Sequence, residues 1–272
     1  MRLIILSAVA LSAAGLQHGL THLWTTPILR HQLVGTDGPD ADLLQAMQSA
    51  VRHKWSSFAD DCGLTAEGET VNDRFFAYQR EAFERGDAPF LELEGSKAER
   101  EAYETLRSAW LENAREYVAI VASEEAAADM FDDLDALRMF VWASVHEERS
   151  THVPHDHANS AMSGVFYVAV PPRAGRITFD DPRSRSTPSA SRSPFDENRL
   201  EHEPSAGELL LFPPWLVHSV GSSSDASGPR ISISFNLFTM REDDSDLEAL
   251  AETSVAPYAV EDEGEEEDWE DD

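Results

Sequence analysis

The chain has 272 residues, a formal net charge of −30 and a single cysteine. That length buries a sizeable core and fits one large domain with appendages. The charge argues against an electrostatic hold on nucleic acid phosphates or an anionic membrane, and the lone Cys62 excludes an internal disulfide and a cysteine-based zinc site.

Residues 1–15 read as Met-Arg, an apolar run from Leu3 to Leu11, and then Ser12-Ala13-Ala14-Gly15. A basic start, a short apolar stretch and small residues before a cut after Ala14 predict a signal or targeting peptide, and so a secretory or organelle-lumen location; without it the chain would be cytoplasmic. The run is too short for a stable membrane span, and the competing reading is a buried N-terminal strand or helix.

Residues 24–34 read as a first strand. A helical zone follows over about 40–123. Asp40 is expected to cap a helix carrying Leu43, Leu44, Met47, Val51 and Trp55. A polar loop spans Asp60 to Glu69, and a second short helix covers 72–85. A long helix over about 96–123 places Tyr103, Leu106, Trp110, Tyr117 and Val121 at helical spacing. From Leu137 the pattern changes to strands at 138–145, 164–170, 176–179, 208–212 and 231–238. The barrel core is thus expected over about 135–240, within a domain spanning 24–240. Residues 182–206, rich in Ser, Pro and Arg, read as a loop that is either a substrate lid or a plain insertion. Residues 242–272 hold 16 Asp and Glu and no Lys or Arg, and 243–272 is expected to be a disordered acidic tail.

Chemistry concentrates at 152–168, where His152, His155 and His157 fall within six positions. In an extended strand, side chains two apart share a face, so His155 and His157 can chelate one metal. A third ligand must come from elsewhere, and His218 is the best placed. Asp156 would point away from that face unless a bulge turns it. Four ligand sets therefore stand open: His155, His157 and His218; Asp156 with one histidine of the pair and His218; a set including His152; or two histidines and water with His157 packed behind. Arg230 opens Arg-Ile-Ser-Ile-Ser-Phe-Asn, with Ser232 on the same strand face. An arginine buried in a strand with no carboxylate in the local sequence is costly unless it binds an anion.

His-x-His-x-Asn-Ser (155–160), Ser163-Gly164-Val165, Tyr167-Val168, Asp181-Pro182-Arg183, Gly207 to His218 and Arg230 to Asn236 follow in an order that resembles the 2-oxoglutarate and Fe(II)-dependent oxygenase superfamily. The resemblance implies a mainly β fold with flanking helices, a double-stranded β-helix (jelly roll, cupin-like) covered by the N-terminal helices. It implies Fe(II) on His155, His157 and His218, and 2-oxoglutarate held by Arg230 and Ser232, with Tyr167 as a further contact. It implies a dioxygenase that uses O₂ and hydroxylates a substrate while converting 2-oxoglutarate to succinate. The usual ligand set of that superfamily is two histidines and a carboxylate, so a third histidine at 157 departs from it. The alternative is a three-His cupin-type protein that does not use 2-oxoglutarate, or a metal-binding interaction module. His146 and His202 read as surface residues or residues behind the site, and Asn159 and Ser160 as either site contacts or turn residues. The sequence leaves open the substrate, a small molecule or a protein, and the oligomeric state.

Overall fold

The computed structural model describes residues 25–62, 70–84, 95–133, 137–147, 150–157, 159–182, 199–223 and 228–239. The targeting segment 1–15, the acidic tail 243–272, Arg183 and most of the 182–206 segment lie outside the described residues. No helix among the described residues is long and apolar enough to cross a membrane.

Among the described residues nine strands form two antiparallel sheets. The larger has the order β1 (Leu29–Gln32), β7 (Glu208–Phe212), β4 (Met162–Ala169), β9 (Arg230–Thr239), β2 (Leu137–His146). The smaller has the order β3 (His152–His155), β8 (His218–Val220), β5 (Ile177–Asp180), β6 (Arg199–His202). The pairings nest: β2 with β9, β3 with β8, β4 with β7 and β5 with β6. A long antiparallel ribbon wrapped on itself gives this order, which defines a jelly roll, the double-stranded β-helix expected from the sequence. β1 extends the larger sheet beside β7.

The helices α1 (Gly38–Cys62), α2 (Thr70–Glu84), α3 (Lys97–Val121) and α4 (Glu124–Phe131) precede the barrel. α1 and α3 cover the outer face of the larger sheet, which is apolar and needs a cover. On β9 the outward residues Ile231, Ile233, Phe235 and Leu237 are fully buried, and the Trp110 ring of α3 stacks on Phe235 at 5.5 Å and 16°. α3 begins with a capping box in which the Ser96 hydroxyl accepts from the Glu99 N–H and the Glu99 carboxylate accepts from the Ser96 N–H.

α2 closes the free edge of β2 with side-chain amides. Asn72 donates to the Val145 carbonyl and accepts from the Val145 N–H, both at 2.9 Å. Gln79, two turns along the same helix face, donates to the Ala143 carbonyl at 3.1 Å and accepts from its N–H at 2.8 Å. These two amides take the place of a missing strand on an edge whose backbone groups would otherwise be unpaired.

Several sequence expectations are corrected. Asp40 does not cap α1 from outside but lies in its first turn, and its carboxylate accepts from the Gly35 N–H. The first strand is only Leu29–Gln32. The long helix ends at Val121, which is 42% exposed, and Ser123 caps a separate helix, α4. β3, β6 and β8 are short strands of three or four residues that were not among the strand ranges expected from the sequence. The end of the 182–206 segment is not loop, because β6 pairs with β5 from Arg199 to His202.

Candidate metal centre

The smaller sheet supplies the histidines. β3 and β8 pair His155 with His218, so the two rings stand side by side on the inner face of that sheet. Their centroids are 4.3 Å apart. His157 lies beyond the end of β3, so the pair is not two positions of one strand face. Instead the His157 N–H donates to the Pro214 carbonyl at 2.8 Å, and its own carbonyl accepts from the Ser160 hydroxyl. That brings its ring to 5.2 Å from His155 and 5.0 Å from His218. All three side chains are buried, and one ring nitrogen of each lies within 4.8 Å of the others.

The backbone orients two of these rings. His155 Nδ1 lies 2.8 Å from the Val153 carbonyl and His218 Nδ1 lies 2.9 Å from the Leu216 carbonyl. A carbonyl only accepts, so each Nδ1 carries the proton and each Nε2 keeps a lone pair for a metal. Burial, with neighbouring histidines adding to it, pushes His157 and His218 well below the ordinary histidine range and holds them neutral. Neutral imidazole is the ligand form, and three such groups suit iron, nickel, copper or zinc. The cluster omits Asp156 and His152. His152 stacks on the His155 ring at 4.1 Å, and burial first, then His155 and Arg230, lower it to about 3.

The larger sheet supplies a polar wall opposite. Its register aligns inward side chains in rungs: His146 opposite Arg230, then Ser144 opposite Ser232 with Tyr167 on the other side, then Trp142 opposite Ser234 with Val165. These residues and the three histidines line one cavity, part of it open to solvent. Arg230 is 2% exposed, and its guanidinium carbon lies 5.0 Å above the Tyr167 ring. No acidic side chain forms a salt bridge with it among the described residues. Arg230 Nε and the Tyr167 hydroxyl are both buried without a hydrogen-bond partner among those residues. Burial raises the Tyr167 hydroxyl against the opposing pull of Arg230, so it remains a donor. A buried cation with an unpartnered Nε beside an unpartnered hydroxyl is costly unless an anion joins them.

Other residues fall outside this arrangement. His202 bonds Glu208 at 2.9 Å and Arg30 at 3.1 Å, tying β6 to β7 and β1. Asn159 has φ 66°, and the Ser160 N–H and hydroxyl both bond the His157 carbonyl, so this pair serves the turn that places His157. His146 is not a surface residue: it is 2% exposed and lines the cavity. Ser144, Ser234 and Trp142 were also missed. The alternation Phe140, Trp142, Ser144, His146 was the available signal, since it sets those four on one face of a strand.

The fold is a jelly roll whose three inward histidines, placed opposite a buried arginine, form a group that could hold a metal ion. Residues 140–236 match the family model described as "Putative 2OG-Fe(II) oxygenase". No curated protein matches the chain. Similar solved structures include a Pseudomonas putida prolyl-4-hydroxylase (16% identity, 80% of this chain and 89% of that one, TM-score 0.40). The non-heme alpha-ketoglutarate-dependent epimerase SnoN from nogalamycin biosynthesis is also similar (21% identity, 50% of this chain, TM-score 0.31), with 60% of its length covered. So is HygX of Streptomyces hygroscopicus, with nickel, 2-oxoglutarate and hygromycin B bound (14% identity, 45% and 64% coverage, TM-score 0.30).

Proposed function

We propose that this protein is a 2-oxoglutarate- and Fe(II)-dependent dioxygenase that hydroxylates a small-molecule or protein substrate. The observation that carries the reading is Arg230, a buried cation with no acidic partner, sharing one cavity with an unpartnered Tyr167 hydroxyl and three converging histidines. The donor set fits the groups: neutral imidazoles for a borderline metal, a guanidinium and two hydroxyls for a carboxylate.

Under this reading His155, His157 and His218 would hold Fe(II), which would supply the site for co-substrate and O₂. Arg230 would hold the far carboxylate of 2-oxoglutarate, and the Ser232 and Tyr167 hydroxyls would donate hydrogen bonds to it. Val165, Ile177, Phe212 and Val220 give the same cavity apolar walls that limit water. Bound together, metal and co-substrate supply an oxidant made from O₂, with succinate and CO₂ as co-products. Trp142, whose ring centre lies 5.6 Å from that of His157, buttresses the one ligand that stands outside a strand.

The test is anaerobic. Fe(II) followed by 2-oxoglutarate should give a weak visible charge-transfer band, and Arg230→Ala should lose the band at the same co-substrate concentration while retaining metal. Metal binding without a band in the unaltered protein would sink the reading and favour a three-His metalloprotein that does not use 2-oxoglutarate. His218→Ala should abolish metal binding in either case.

A further inference from the structure

His146 stands beside Arg230 on the adjacent strand and has no role in the site as described so far. Its orientation is fixed by a chain of hydrogen bonds that starts on α2. The two amide protons of Asn72 go to the Val145 carbonyl at 2.9 Å and the Ser150 hydroxyl at 3.2 Å. The amide oxygen of Asn72 accepts from the Val145 N–H, which rules out a flipped amide. Ser150 Oγ therefore already accepts one bond, and it lies 3.1 Å from His146 Nδ1. Its hydroxyl proton has no other acceptor among the described residues, so it donates to Nδ1. A neutral imidazole that accepts at Nδ1 carries its proton on Nε2.

All three members of this relay are buried. The one hydrogen bond of the His146 ring among the described residues is that at Nδ1, and the residue lines the cavity that Arg230 also lines. A buried relay ending in a donor beside a guanidinium whose Nε has no partner among the described residues prepares a place for a carboxylate.

We propose that His146 is a further co-substrate contact. Its Nε2–H donates to the carboxylate held by Arg230, and Asn72 and Ser150 are positioning residues that set its tautomer. The inference rests on the reading above and deepens it: the pocket selects a 2-oxo acid with a second, distal carboxylate by surrounding that group with donors from β2, β4 and β9.

The test uses the full chain. In the metal-free protein, nitrogen–proton correlation of labelled histidine should place the His146 proton on Nε2; a proton on Nδ1 overturns the proposal. In the Fe(II)-loaded protein, anaerobic titration of the visible band should show 2-oxoglutarate bound about tenfold more weakly by His146→Leu, the size expected for one hydrogen bond to a charged group. Metal affinity should not change. His146→Gln, whose amide reaches the Nε2 position, should recover most of the loss. Should His146→Leu fail to fold, Ser150→Ala carries the same test with an expected loss of about threefold, a weaker effect because only the orientation of the donor is relaxed. Unchanged 2-oxoglutarate affinity, or a loss that Gln does not rescue and that metal affinity shares, overturns the proposal. No band in the unaltered protein overturns the oxygenase reading itself.

Discussion

The two faces of the larger sheet carry different chemistry on the same strands. On β9 the outward residues Ile231, Ile233, Phe235 and Leu237 pack under the helices, while the inward Arg230, Ser232, Ser234 and Asn236 face the cavity or its end. The outer face is apolar and filled. The inner face is polar and keeps Arg230 Nε and the Tyr167 hydroxyl without a hydrogen-bond partner among the described residues. One face lowers the free energy of the fold, and the other spends some of that stability on groups prepared for a ligand.

The largest expected difference between the faces is in acid. His146, His157 and His218 are held well below the ordinary value of 6.5 by burial, and His152 is lowered to about 3. Above 6.5 neither the folded nor the unfolded chain protonates them, so they impose no penalty. As pH falls below 6.5 the unfolded chain takes up protons that the fold refuses, and stability drops by about 1.4 kcal/mol per pH unit for each such histidine. The loss continues until the folded values are reached. The metal-free protein should therefore unfold at steeply lower denaturant concentrations between pH 7 and pH 5. Saturating Ni(II) or Zn(II) at neutral pH should raise stability by mass action. A flat midpoint across that range would mean the histidines are solvated and the cavity is not as drawn.

Trp110→Ala tests the opposite face. Its ring stacks on Phe235 and lies 5.5 Å from Phe166, and it is fully buried. The cost should be about 3–5 kcal/mol of unfolding free energy, as for other buried aromatics truncated to alanine. Metal affinity at a temperature where the variant is folded should stay within a few-fold. A collapse of metal binding with the fold intact would show that the faces are not separable.

Arg230→Met sharpens the contrast from the inside. It removes a buried charge that has no acidic partner, so unfolding free energy should be unchanged or rise by about 1 kcal/mol. Co-substrate affinity should fall about 100-fold with loss of the charge-assisted contact. A large loss of stability would mean that Arg230 holds the fold rather than a ligand.

How much of this was legible follows from the same contrast. The alternation Arg-Ile-Ser-Ile-Ser-Phe-Asn announces a strand with one apolar face, and it sorts Arg230 and Ser232 from Ile231 and Ile233 without any structure. The helical cover was legible from the spacing of Tyr103, Leu106 and Trp110. His146 was not, because the residue that gives it meaning, Arg230, is its neighbour only through the β2–β9 register, and register depends on pairings that no local pattern displays. His157 was placed near the metal for the wrong local reason. It reaches the cluster through a turn and the Pro214 carbonyl, not through strand periodicity. The amides of Asn72 and Gln79 were invisible for the reason that hid His146, since each acts on a strand edge about 64 or 73 positions away.

Gly164 gives the smallest test and bears on both faces at once. It sits in β4 between Ser163 and Val165, with the inward Tyr167 three positions on, and its backbone borders the cavity. Its missing side chain would project outward. A Cβ there would collide with the end of the Phe235 ring and come within 2.8 Å of Leu211 Cδ2. Glycine is thus required by the close approach of Phe235, the ring on which Trp110 stacks. Gly164→Ala should cost about 1–3 kcal/mol through overpacking. If the strand yields, the displacement moves Tyr167 and weakens 2-oxoglutarate; if the ring yields, binding is preserved and only stability falls. The stiffness of β4, hydrogen-bonded to β7 and β9 on both sides, favours the second outcome. Measuring the unfolding midpoint and the 2-oxoglutarate titration on this one variant therefore tells whether strain applied to the apolar face reaches the cavity.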